Sequence, residues 1–229
     1  MPLSLASRTL TNVRLIDDDP ALRAMYRYSV DDLELNPVEE NGPIGSGDTY
    51  LSMLNLTTDA VICDLNLKTR DYSSQNGDEL VSTLYSHQVP VVLCTRYADE
   101  LPDAIRHRRR KIPIVLSPKA LSGDTVRDAF LTCLNEFEGN FSTQRKPWRT
   151  VVRVESGEAV GTGYCRLGVV VPAWDPNSGL TFVVPIDDNA ALMEICKRVQ
   201  VGEEMRVFAQ VNLGAESAGD IYIDEWALQ

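Results

Sequence analysis

Apolar and polar positions follow two rhythms along the chain, and the change comes near residue 140. Before it, short apolar runs alternate with stretches of helical period. Residues 13–16, 60–64, 91–95 and 112–116 read as strands, with a weaker one over 33–38. Leu22, Met25, Tyr26 and Val30 recur at i, i+3, i+4 and i+8, the spacing of one helical face. Asp19-Pro20 supplies an N-cap and a proline for the first turn of that helix. Further helices are predicted over 48–56 and 78–85, and a last one where Val126, Ala129, Phe130, Cys133, Leu134 and Phe137 share a face. Such alternation implies a parallel sheet covered on both faces. Pro37 and Pro113 fall in the second and fifth strands, and proline inside a strand is tolerated at sheet edges. The flavodoxin-like order 2-1-3-4-5 puts those two strands at the edges, so a (βα)5 fold in that order is expected.

Beyond residue 140 strands dominate. They are predicted over 149–155, 159–167, 169–171, 180–184, 201–211 and 220–224, with turns at Ser156-Gly157 and over 175–179. One helix over 187–199 carries Leu192, Ile195, Cys196 and Val199 on a single face. This pattern suggests a small closed β-barrel. The polar, Gly- and Pro-containing stretch 138–147 reads as a linker, giving domains 1–140 and 141–229.

Composition narrows the function classes. The 229 residues carry a net charge of −11, and both halves are acidic, with 14 basic against 21 acidic side chains before residue 141 and 8 against 12 after it. That balance argues against a nucleic-acid coat. No apolar run approaches the ~18 residues of a membrane span, and the first residues lack the basic and apolar regions of a signal peptide. Five cysteines without close pairing argue against a disulfide scaffold and for a reducing, cytoplasmic setting.

The candidate chemistry lies at the strand ends, where ligands gather in such sheets. Asp17-Asp18 follow the first strand, Asp64 the third, Thr95 the fourth and Lys119 the fifth. Carboxylates brought that close repel unless a cation sits among them, and Mg²⁺ is the natural hard-oxygen partner. A carboxylate beside Mg²⁺ can attack phosphorus and form an aspartyl phosphate, with a lysine and a hydroxyl orienting the phosphoryl oxygens.

The segments 15–22, 61–67, 77–80, 92–95 and 117–119 together resemble the receiver domain of two-component response regulators, over about residues 12–138. The resemblance implies that Asp64 is the phosphoacceptor, Asp18 a direct metal ligand and Asp17 a ligand through water. Asn66 stands where a backbone carbonyl binds the metal, while Thr95 and Lys119 match the switch hydroxyl and the phosphate-contacting lysine. Four departures stand beside these matches. The loop from Asp64 to Gly77 is long enough for a lid, Arg96 replaces a small residue, Pro118 precedes Lys119 instead of following it, and Leu116 replaces an aromatic. Arg96 is placed either to crowd the phosphate or to bind it, and Tyr97 could substitute for the aromatic.

The run 106–111 reads as the solvated end of a helix, its cations complementing the macrodipole. His87 and His107 lack metal-ligand spacing, and Cys63, Cys94, Cys133 and Cys196 read as core positions. No helix-turn-helix pattern is present in the second half. The resulting expectation is a response regulator phosphorylated on Asp64 by a histidine kinase or phosphotransfer protein. Its β domain would bind a protein partner, with a homodimer allowed, no membrane or nucleic-acid partner, and no catalysis beyond the receiver's own phosphorylation and dephosphorylation. Two other readings stay open: a degenerate receiver used as an adaptor, and a nucleic-acid-binding regulator acting through the barrel.

Overall fold

The alternation of the first 140 residues folds as a five-stranded parallel sheet. The computed structural model describes residues 3–5, 8–69, 71–98, 103–187 and 189–228. An antiparallel hairpin of β1 (Leu3–Leu5) and β2 (Arg8–Leu10) comes first. There follow β3 (Asn12–Ile16), α1 (Pro20–Asp31), β4 (Asn36–Glu39), α2 (Gly47–Leu51) and β5 (Asp59–Asp64). The unit continues with α3 (Gly77–Ser86), β6 (Val91–Cys94), β7 (Val115–Leu116) and α4 (Gly123–Phe137). The sheet order is β4-β3-β5-β6-β7 with every pair parallel, the flavodoxin-like arrangement. Pro37 lies in the edge strand β4, and Pro113 precedes the other edge strand, β7. Central β6 is buried throughout, as a strand covered on both faces must be. One core cluster joins Leu15, Ile62 and Val92 of the sheet to Tyr26, Val30 and Phe130 of α1 and α4.

The connection between β6 and β7 departs from the expected helix. It is a 3-10 helix, Asp103–Lys111, and residues 101–110 group with the second unit, whose remaining part starts at Ser142. The basic run is therefore not a solvated helix end. Arg106 stacks over the Phe182 ring at 4.5 Å and donates to the carbonyls of Thr181 and Ala218. Arg109 lies 3.6 Å from Asp220, while the Arg145 guanidinium donates to the carbonyl of Arg110 at 2.9 Å. Consecutive cations gain nothing from stacking on one another in an α-helix. Here tertiary partners take both their charges and their carbonyls.

The second unit holds β8 (Trp148–Ala159), β9 (Tyr164–Val170), β10 (Gly179–Pro185), α5 (Ala190–Gln200), β11 (Met205–Val211) and β12 (Ile223–Ala227). The antiparallel order β10-β9-β8-β11-β12 makes a curled half-barrel. The expected closure is absent: no ladder joins β10 to β12 among the described residues. Instead α5 fills the concave face with Leu192, Ile195, Cys196 and Val199, in one cluster with Val152, Leu167, Phe182 and Val207. The turn expected at Ser156-Gly157 is also absent, because β8 runs through it with a register shift between Val154 and Ser156. Gly157 serves close packing instead, since a Cβ there would collide with Val199 of α5. The hairpin turns at Gly161 and Gly163, both at positive φ, where glycine carries no steric penalty. No helix among the described residues is long and apolar enough to cross a membrane.

Candidate functional site

The carboxyl ends of β3, β5 and β6 converge on a cavity of about 230 Å³ lined by Asp17, Asp18, Asp64, Asn66, Thr69, Thr95, Arg96 and Tyr97, among others. Five of the six residues singled out by sequence thus share one rim. The sixth, Lys119, is not among its lining residues. It sits exposed on the 3-10 turn Pro118–Ala120 after β7, and no ion pair joins it to Asp64 among the described residues.

Each acid is held differently. Asp17 is fully buried. Its carboxylate accepts from the Tyr26 hydroxyl at 2.7 Å and from the Asp19 amide at 2.8 Å, and Arg23 donates to its backbone carbonyl. Asp19 caps α1 as expected, accepting from the Ala21 amide at 2.9 Å. Asp18, beside it, accepts from the Thr69 hydroxyl of the long loop. Asp64 accepts from the Asn66 amide at 3.0 Å. The backbone carbonyl of Asp64 rests against Gly77, where a Cβ would collide with it, so the start of α3 requires glycine. Thr95 is buried and its hydroxyl accepts from the Tyr97 amide at 3.3 Å, which turns the chain over the rim.

One carboxylate oxygen from each of Asp17, Asp18 and Asp64 lies within 4.8 Å of the others. Burial, followed by the charge on Asp17, pushes the Asp64 carboxyl up to about 6, against the lowering effect of the Asn66 and Leu65 amides. Burial also raises Asp17, in spite of its bonds from Tyr26 and Asp19. Both groups resist ionisation chiefly because they are buried. Three hard oxygen donors at this spacing suit a small divalent cation with open positions for water. The donor set therefore fits Mg²⁺.

Three participants were not visible as such in the sequence. Tyr26 reads as a core position, and nothing in its spacing signals that the hydroxyl reaches Asp17. Arg23, buried at 5% exposure with its guanidinium 5.8 Å from the Tyr72 ring, also reads as an ordinary helix residue. Thr69 belongs to the loop whose length suggested a lid, though in that loop Asn66 stood out and Thr69 did not.

No family model matches the chain, and no curated protein matches it in sequence. Solved structures do match over part of the chain. A response regulator receiver domain protein from Clostridium thermocellum is 15% identical, covering 56% of this chain and 98% of its own, with a TM-score of 0.41. A sensor protein from Polaromonas sp. JS666 is 14% identical over 55% of this chain and 97% of its own, with a TM-score of 0.41. The response regulator RcsB of Salmonella typhimurium is 19% identical over 58% of this chain and 62% of its own, with a TM-score of 0.39.

Proposed function

We propose that the first unit is a phosphoryl-accepting receiver and that Asp64 is its acceptor. The observation that carries this reading is the approach of Asp17, Asp18 and Asp64 to within 4.8 Å at the carboxyl edge of a flavodoxin-like sheet. Three acids gathered at one strand-end rim, two of them raised by burial, suit a bound cation better than a purely structural role. An Asp64 carboxylate oxygen attacks the phosphorus of a phosphohistidine or acyl phosphate. The new O–P bond forms as the bond to the donor breaks, and the donor leaves as a neutral imidazole or a carboxylate. Asp18, Asp64 and the Asn66 carbonyl would hold Mg²⁺, with Asp17 acting through water. The ion supplies charge neutralisation between the acidic rim and the phosphoryl group. Thr95 presents its hydroxyl to the same space. The donor is a histidine kinase or phosphotransfer protein, the second unit carries the output to a protein partner, and no further enzymatic activity is part of the proposal.

Two observations favour a second reading. Thr69 donates to Asp18, and Lys119 is not among the residues that line the rim, as in a receiver kept only as a binding adaptor. Intact mass after incubation with a small acyl phosphate and Mg²⁺ separates the two. Wild type should gain one phosphoryl group and Asp64→Ala none; wild type without the gain sinks the acceptor reading and favours the adaptor.

A further inference from the structure

We propose that Arg96, and not Lys119, is the cation that meets the phosphoryl oxygens on Asp64. The inference rests on the acceptor reading of Asp64 and names the residue that completes its site. Arg96 directly follows Thr95, at the carboxyl end of β6, and lines the same cavity as Asp17, Asp18, Asp64 and Thr95. It is the one cation among the described residues lining that cavity. Its side chain is exposed, with no hydrogen bond or ion pair to another described residue, so nothing must be broken before it turns to a ligand. The bond from the Tyr97 amide to the Thr95 hydroxyl anchors the chain on either side of it.

Charge makes the requirement concrete. A phosphoryl group carries about two negative charges; in place of the Asp64 carboxylate charge it adds about one, to a rim whose lining holds three further aspartates. A single divalent ion leaves that sum strongly negative, so a fixed cation within reach decides whether the adduct persists. A guanidinium offers two parallel N–H donors that match two phosphoryl oxygens, whereas an ammonium acts as a point charge. Pro118, directly before Lys119, begins a 3-10 turn after the edge strand β7, and Lys119 projects there as an exposed side chain. The arginine that the sequence places either to crowd the phosphate or to bind it thus takes over the task expected of Lys119.

The test uses the full chain, Mg²⁺, beryllofluoride as the phosphoryl mimic and a small acyl-phosphate donor. Arg96→Ala should weaken beryllofluoride binding on the order of tenfold to a hundredfold, the range expected for losing charged hydrogen bonds. Arg96→Lys should recover part of the loss, and Lys119→Ala should lose less than Arg96→Ala. Binding of Mg²⁺ alone gives the second readout: it should hold or tighten in Arg96→Ala, because a cation has left the neighbourhood of the carboxylates. A general disruption of the fold would weaken both ligands together. If Lys119→Ala abolishes mimic binding and Arg96→Ala does not, the inference falls while the acceptor reading stands. If the wild type takes neither mimic nor phosphoryl group, the acceptor reading falls and this inference with it.

Discussion

The two units treat buried polarity in opposite ways. Among the described residues ten polar or charged side chains are buried, and nine of them lie in the first unit; Asn212 alone lies in the second. Asn212 is fully matched: its amide donates to the carbonyls of Gln144 at 2.9 Å and Asp220 at 3.0 Å and accepts from the Tyr222 amide at 2.8 Å. Asp17 in the first unit is also hydrogen-bonded, yet it lies close to two further acids, and burial raises both it and Asp64. A buried polar group whose donors and acceptors are all met is structural. One left in electrostatic debt indicates a ligand. The contrast places the crowded acids in the unit of the parallel sheet and a fully bonded polar group in the half-barrel.

The largest effect should come from dividing the second unit along the chain. A fragment of residues 142–229 lacks Arg106, Arg109 and Arg110, and with them four hydrogen bonds, from Arg106 to Thr181 and Ala218 and from Arg145 to the Arg109 and Arg110 carbonyls, besides the Arg109–Asp220 ion pair. At ~1 kcal/mol for a typical hydrogen bond, the fragment should lose about 4 kcal/mol relative to the same unit in the intact chain. Trp148, Trp174 and Trp226 all belong to this unit, so tryptophan fluorescence in urea follows its unfolding. Equal midpoints for fragment and intact chain would mean that residues 101–110 contribute nothing to the half-barrel.

Next come two substitutions of opposite sign. Asn212→Ala strands two carbonyls and an amide and should cost about 3 kcal/mol, read by the same fluorescence. Asp64→Asn removes a charge that burial and Asp17 oppose, and should stabilise the first unit at neutral pH, read by hydrogen exchange of the β5 amides. Stabilisation by both changes, or destabilisation by both, would erase the distinction between matched and unmatched burial.

These elements also mark what the sequence conveys. The strand order is legible because Pro37 inside β4 demands an edge and continuous apolar runs demand a centre, both local signals, although Pro113 lies just before β7 and not in it. The acids are legible because strand ends converge in any parallel sheet. Gly157 misleads, since a glycine needed for contact with Val199 looks the same as one needed for a turn. Residues 103–111 mislead for a related reason: their conformation is set by Arg145 and Asp220, far along the chain. Arg96 on the rim is legible as well, because it directly follows Thr95 at a strand end, whereas the absence of Lys119 from the cavity lining is a property of the fold.

Acidity gives a smaller and graded effect. The Asp64 carboxyl is raised to about 6 in the folded chain, against the ~4 of an unfolded aspartate. The folded state therefore holds this proton more tightly, and the stability it contributes is fully present below about pH 4 and lost as pH rises through about 6. The raised Asp17 adds to the slope in the same sense. Without metal, the first unit should lose stability as pH rises across that window; Mg²⁺ should oppose the loss, and Asp64→Asn should flatten it. Hydrogen exchange measured across pH 4–7 checks the direction, and a slope that rises with pH would contradict the burial of these acids.

The smallest effect should come from Thr69, whose hydroxyl donates to Asp18, the acid read as a direct metal ligand. A cation entering the rim must displace that hydrogen bond, so its strength is subtracted from metal affinity. The pair lies in exposed surroundings, where such a bond is worth on the order of 0.5–1 kcal/mol net. Thr69→Val, which keeps the shape and removes the donor, should therefore tighten Mg²⁺ binding about two- to fivefold and leave the unfolding midpoint nearly unchanged. Isothermal calorimetry with Mg²⁺ on the full chain decides the sign. Tighter binding marks Thr69 as a replaceable occupant of a ligand position, unlike the partners of Asn212, which nothing else can replace. Weaker binding would mean that Thr69 helps to hold the metal and that the long loop belongs to the site as a donor.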